Sequence, residues 1–85
     1  MMTEEKDFGF KDVTSSFISQ VGYNEEMREL RVNFSNGTKW RYFDIAPEKY
    51  ISFLLAESQG KFFIHRIKPN YTGRKIKEEK TDEVA

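Results

Sequence analysis

The stretch from Glu29 to Phe43 constrains this chain more than any other part of it. Leu30, Val32 and Phe34 alternate with Arg31 and Asn33, Ser35-Asn36-Gly37 interrupts, and Thr38 to Phe43 supplies a second, aromatic-rich run. Period-two alternation on both sides of a glycine-bearing break predicts a β-hairpin over 29–43. The turn length then fixes the face of every side chain. A two-residue Asn36-Gly37 loop pairs Ser35 with Thr38 and drives Lys39 and Arg41 under the core beside Leu30 and Val32. A three-residue Ser35-Asn36-Gly37 loop, with Gly37 in the left-handed position of a G1 bulge, pairs Phe34 with Thr38. Leu30, Val32, Phe34, Trp40 and Tyr42 then share one face. Burying two unpaired cations is prohibitive, so the three-residue register is the predicted one.

The opposite face of that hairpin carries Arg31, Asn33, Lys39, Arg41 and Phe43, with Arg31 directly across from Arg41. Like charges in this position repel by about 0.2–1 kcal/mol. A neighbouring acid such as Glu29 relieves the repulsion, and so does a bound anion. The face reads in two ways: a solvated surface with ordinary cations, or a surface that contacts phosphate.

With 85 residues the chain makes one domain and buries only about 60% of its unfolded surface, so its stability margin is thin. It has no cysteine, which removes disulfides, thiolate metal sites and a Cys nucleophile as ways to add stability or chemistry. His65 is the only histidine, too few for the usual zinc ligand sets, and no carboxylate near it in sequence marks a catalytic pair. Ser15 and Ser16 have no base positioned to activate them and read as a strand start or a turn cap. The expectation is a protein that is not an enzyme and takes no cofactor or metal. Dense aromatic packing, at 15% of residues, or self-association supplies the missing stability. Apolar stretches fall far short of the about 20 residues that span a bilayer. The polar, acidic first residues do not resemble a signal peptide, and the default expectation is cytoplasmic.

Residues 1–12 lack a clear period and are predicted to form a flexible N-terminal arm, although Phe8 and Phe10 offer apolar contacts should it dock. The β-branched and aromatic run before Gly22-Tyr23 predicts a strand near 16–23. Pro47, in a first helical turn with Glu48, opens a helix on Tyr50, Phe53 and Leu54, with Ile51 and Leu55 widening the apolar stripe and Gly60 terminating it. Phe63 and Ile67 predict a second short helix over 61–67, closed by Pro69-Asn70. Residues 71–76 read as extended or irregular, and 77–85 as a charged disordered tail. The predicted fold class is therefore α+β: a small antiparallel three-stranded meander followed by two short helices packed on one sheet face.

Net charge is zero, yet the charges are segregated. Residues 61–77 hold Lys61, Arg66, Lys68, Arg74, Lys75 and Lys77 with no acid, interleaved with Phe62, Phe63 and Tyr71, whereas Glu78, Glu79, Asp82 and Glu83 follow. Cations among aromatics suit a single-stranded nucleic acid, although Phe63 and Ile67 also serve simply to close the core. The candidate nucleic-acid or anion-binding residues are Arg31, Lys39, Arg41, Lys68, Tyr71, Arg74 and Lys75. Trp40 and Tyr42 are potential base-stacking rings, but the hairpin register assigns them to the core.

Several separate motifs resemble one family. The runs Ser15-Ser16-Phe17-Ile18-Ser19-Gln20-Val21-Gly22-Tyr23 and Leu30-Arg31-Val32-Asn33-Phe34, the turn residue Gly37, the Trp40-Arg41-Tyr42 triplet, Pro47 with Tyr50, and the segment from Ala56 to Tyr71 are similar to the KTSC domain. The likeness covers residues 13–76. That family takes its name from the C terminus of some lysyl-tRNA synthetases and also occurs as small bacterial and phage proteins. The chain departs from the family pattern at Trp40, where the central pair is usually Tyr-x-Tyr, and at Ile64, where an Asn commonly follows Phe62-Phe63. The synthetase context implies RNA binding. Two alternatives stand beside it: a protein-interaction or self-assembling module using strand edges and Phe43, and a phage-type protein that sequesters a nucleotide-like anion at a subunit interface.

Overall fold

A computed structural model of the chain describes residues 8–77. Five strands form one antiparallel sheet in sequential order: β1 (Lys11–Asp12), β2 (Ile18–Asn24), β3 (Glu29–Phe34), β4 (Lys39–Tyr42) and β5 (Gly73–Ile76). Between β4 and β5 the chain makes helix α1 (Pro47–Leu55) and helix α2 (Gln59–Phe62), which runs on into a π-helical turn at Phe63–Ile67.

The β3–β4 register is the one the turn chemistry demands. Leu30 stands opposite Tyr42, Arg31 opposite Arg41, Val32 opposite Trp40 and Asn33 opposite Lys39. The Phe34 amide donates to the Thr38 carbonyl and the Gly37 amide to that of Phe34, with Gly37 at φ 94°, where a glycine is unstrained. In β2 a bulge between Ile18 and Gln20 has a packing reason. Ile18 and Val21 are three residues apart, an odd spacing that puts them on opposite faces of a regular strand. One extra residue at Ser19 brings both inward.

The core lies between the sheet and the helices. Ile18, Val21, Leu30, Val32 and Tyr42 from the sheet meet Ile45, Phe53, Phe63 and Ile67. The Phe63 ring sits edge-on to Phe34 and Tyr42, with centroids 5.7 and 5.5 Å away, geometries that suit aromatic quadrupoles. Tyr23 stacks on Tyr50 at 4.6 Å and donates its hydroxyl to the Ile45 carbonyl.

The architecture corrects the expected meander from three strands to five. β5 carries cations on both faces, Arg74 on one and Lys75 on the other, so it shows no hydrophobic alternation and its pairing with β4 was not legible. β1 is two exposed residues long. The expected flexible arm 1–12 is docked from Phe8 onward: Phe8 is buried, Lys11 pairs with Val21 and Asp12 with Gln20. Residues 1–7 of that arm and 78–85 of the expected tail lie outside the described residues.

Gly60 does not end the first helix. Helix α1 stops at Leu55, where Ala56 turns extended and the Gln59 side-chain amide donates to the Leu54 carbonyl. Gly60 lies instead inside α2, behind the N-cap Ser58, and a Cβ there would come within 3.0 Å of the Phe17 ring. Ile51 and Leu55, expected in the apolar stripe, are on the outer side of α1, 53% and 79% exposed. Among the described residues no helix is long and apolar enough to cross a membrane.

Candidate nucleic-acid interface

The sheet face turned away from the helices collects the charged positions of the hairpin. Gly22, Arg31, Arg41 and Arg74 are in register across β2, β3, β4 and β5, so three arginines stand side by side on adjacent strands about 5 Å apart. Lys39 lies two residues from Arg41 on the same face, opposite Ile76.

One carboxylate organises this row. Glu29 is 2% exposed, and its Oε2 accepts from Arg31 Nε at 2.9 Å and from Arg41 Nε at 3.1 Å, while Oε1 accepts from Arg41 Nη2 at 3.4 Å. The cross-strand repulsion between Arg31 and Arg41 is thus met by an acid on β3 itself, two residues from Arg31. A buried carboxylate needs such partners, and each arginine needs the carboxylate.

The arginines differ in what they can reach. The Arg31 side chain is 13% exposed, because its guanidinium lies over the Phe8 ring at 4.4 Å. Phe8 and Phe10 themselves cover Gly22, where a Cβ would stand 2.9 Å from Phe8 Cβ and 3.0 Å from the Phe10 ring. The side chain of Arg41 is 38% exposed beside the Phe43 ring, 5.1 Å from its centroid. Arg74 is exposed and pairs with no acid among the described residues. Among the described residues, Glu29 therefore meets the two inner arginines of the row, and Arg74 on β5 stands without a carboxylate beside it.

The seven residues singled out in the sequence separate into groups. Lys39, Arg41 and Arg74 come together on the open face, with Arg31 adjacent but held by Glu29 and Phe8. Lys75 is opposite Trp40 and so belongs to the helix side of the sheet. Lys68 is the exposed residue that ends the π-helical turn, its amide donating to the Phe63 carbonyl. Tyr71 packs against the core. Trp40 and Tyr42 face inward as the register required, their rings stacked with centroids 6.2 Å apart. Phe8 was missed as part of this surface, although a glycine inside a strand already signals that something approaches closely.

The model of the KTSC domain family matches residues 14–71. The chain belongs to the KTSC domain family. A protein of Tsukamurella paurometabola is 34% identical over 59 residues, covering 69% of this chain and 88% of that protein. An uncharacterised protein of Stutzerimonas stutzeri is 37% identical over 57 residues, covering 67% and 80%. The crystal structure of a KTSC domain protein from Yersinia pestis superposes with a TM-score of 0.76 at 31% identity, covering 82% of this chain and 99% of that one. The family match begins after Asp12 and stops before Gly73, so the docked Phe8 segment and strand β5, with Arg74, flank the matched region. Half of the exposed arginine pair on the open face is thus supplied from outside it.

Proposed function

We propose that this KTSC domain is a non-catalytic module that binds the phosphate backbone of RNA across the β4–β5 side of its open sheet face, through Lys39, Arg41 and Arg74. The reading rests on the in-register row Arg31, Arg41 and Arg74, in which Glu29 bonds the first two and Arg74 meets no acid among the described residues. Guanidinium groups offer paired donors that match phosphate oxygens, and three cations within two strands provide a run of contacts along a backbone. The Phe43 ring beside Arg41 gives a surface on which a base can stack. Guanidinium and ammonium groups bind phosphate well and are poor general bases, which favours binding over turnover.

Titration of labelled single-stranded RNA at a series of salt concentrations tests this. Affinity should fall steeply between about 50 and 200 mM salt, with a log–log slope of roughly 0.7 per phosphate contacted. Affinity indifferent to salt, or no binding at the low end, removes the proposal.

A second reading draws on α1, where Ile51 and Leu55 form an exposed apolar ridge one turn apart. It makes the domain a self-associating or protein-binding module. Solution mass across a concentration series separates the two, since the RNA reading needs no second copy.

A further inference from the structure

On the helix side of the sheet, the loop before β2 packs against α2 and leaves a cleft of 230 Å³. Thr14, Ser15, Ser16 and Ser58 bring hydroxyls to its lining, together with the ammonium-bearing Lys61. Ser15 Oγ accepts from the Phe17 and Ile18 amides, both at 3.2 Å, so its lone pairs are used and its proton is what it can offer. Ser58 Oγ accepts from the Lys61 amide at 3.3 Å and likewise keeps its proton to donate. That amide is committed to the cap, so the donors offered to a ligand are side chains. Lys61 itself is exposed and makes no ion pair among the described residues. Gly60 lets the two walls close: a Cβ there would lie 3.2 Å from Ser15 Oγ and 3.0 Å from the Phe17 ring.

A second cleft, of 370 Å³, shares Ser16 and Phe17 with the first and continues to Phe34, Ser35 and Asn36 at the hairpin tip. Its wall is aromatic. The half-buried rings of Phe17 and Phe34 run nearly parallel, 13° apart with centroids separated by 6.4 Å. Phe63 packs against both from the core, at 6.5 and 5.7 Å, and fixes their positions. Asn36 Oδ1 already accepts from the Thr38 amide and hydroxyl, which leaves its Nδ2 as the group offered at the far end. The joined depression thus has donors for an anion at one end and an apolar ring wall beyond them.

We infer that this double cleft binds a nucleoside monophosphate, its phosphate among Ser15, Ser58 and Lys61 and its base along Phe17 and Phe34. The site lies on the other side of the sheet from the arginine row and does not depend on the RNA reading. Serine hydroxyls and a lysine ammonium are donors that match the tetrahedral oxygens of a phosphate. A phosphomonoester carries about −1.5 to −2 at neutral pH, so even one cation gains from it. The two rings give a planar base an apolar surface to cover. Ser16, common to both clefts, falls where the ribose bridges them. Together the clefts are within the about 300–1,000 Å³ usual for small-ligand sites. Inorganic phosphate fills only the first and a nucleoside only the second, so the linked ligand should bind more tightly than either part.

The test follows backbone amide resonances of the full chain during titration with adenosine 5′-monophosphate, adenosine and inorganic phosphate at one ionic strength. The monophosphate should shift the Phe17, Asn36 and Lys61 amides saturably and bind at least about tenfold tighter than adenosine or phosphate. Lys61→Glu alters one exposed side chain and should keep the wild-type unfolding midpoint. It should weaken the monophosphate about five- to tenfold and leave adenosine unchanged. Arg41→Gln/Arg74→Gln should bind the monophosphate as the wild type does, whatever its effect on RNA, so the two sites fail or stand separately. Phosphate as tight as the monophosphate overturns the inference, because the ring wall then contributes nothing. So does an unchanged affinity in Lys61→Glu, or a titration that shifts only Arg41 and Arg74, or none of these amides.

Discussion

Arg31 and Arg41 face each other across β3 and β4, and each places its Nε on the same oxygen of Glu29. A pair that repels in isolation becomes a three-membered unit with one net positive charge. The unit has an inner member, Arg31, under Phe8, and an outer member, Arg41, toward the bare Arg74 edge. Stability and binding are therefore coupled through one carboxylate.

Glu29→Gln should reveal that coupling. The substitution keeps the shape but removes the charge that neutralises a largely buried guanidinium, and breaking such a pair destabilises by about 3 kcal/mol. Because Arg41 is 38% exposed and water can solvate it, the loss should fall between about 1 and 3 kcal/mol. Urea unfolding measures it. RNA affinity of the folded variant should rise rather than fall, since the face gains a positive charge.

Phe8 is 2% exposed, with Arg31 over its ring, so the segment before β1 belongs to the folded unit. Phe8→Ala should destabilise by about 3 kcal/mol, in the range for large-to-small changes at buried phenylalanines. A loss below about 1 kcal/mol in chemical unfolding would mean that the ring does not hold the sheet face.

Gly73 is required by a neighbour rather than by its backbone angles. A Cβ at that position would lie 2.4 Å from the Tyr42 ring, which crosses β5 there. Gly73→Ala should therefore lose about 1–3 kcal/mol, as overpacking does. Most of that penalty should disappear in a Tyr42→Leu background, giving a clear interaction energy in a double-mutant cycle. Additive losses would show that the glycine acts through chain entropy instead.

The tyrosines set the alkaline limit. Burial pushes the phenols of Tyr42 and Tyr50 above their ordinary range. Tyr23 is also raised, chiefly by burial, with Glu25 and Glu48 reinforcing and Arg28 opposing. Each folded phenol holds its proton more tightly than the unfolded chain, where ionisation begins near about 10. Stability from these groups is complete below that pH and declines as pH climbs through and beyond it. Urea midpoints followed from about pH 8 to 11 should fall at the upper end, and less so in Tyr42→Phe. A midpoint that stays flat contradicts the assignment.

The hairpin was legible because a single physical choice decided it. Only one turn length kept Lys39 and Arg41 out of the core, so Gly37, the inward Trp40 and Tyr42, and the Arg31–Arg41 pair all followed. The edges were not legible, because edge strands such as β1 and β5 bury little and carry charge, leaving no period to read. Partnering was only half legible. Glu29 was a visible neutraliser of the arginine pair, but Phe8 lies 23 residues from Arg31 in the chain, and only the tertiary fold places its ring under that guanidinium. The same reason explains why Tyr71, set among cations in sequence, turns out to pack against the core.

The most direct measurement is the salt dependence of single-stranded RNA binding for the wild type and for the Arg41→Gln/Arg74→Gln variant. Two phosphate contacts should be lost, so the magnitude of the log–log slope should drop by roughly 1.4 and affinity should fall for every sequence tested. An unchanged slope in a variant that still folds would contradict the account, because RNA would then be held somewhere other than the arginine row.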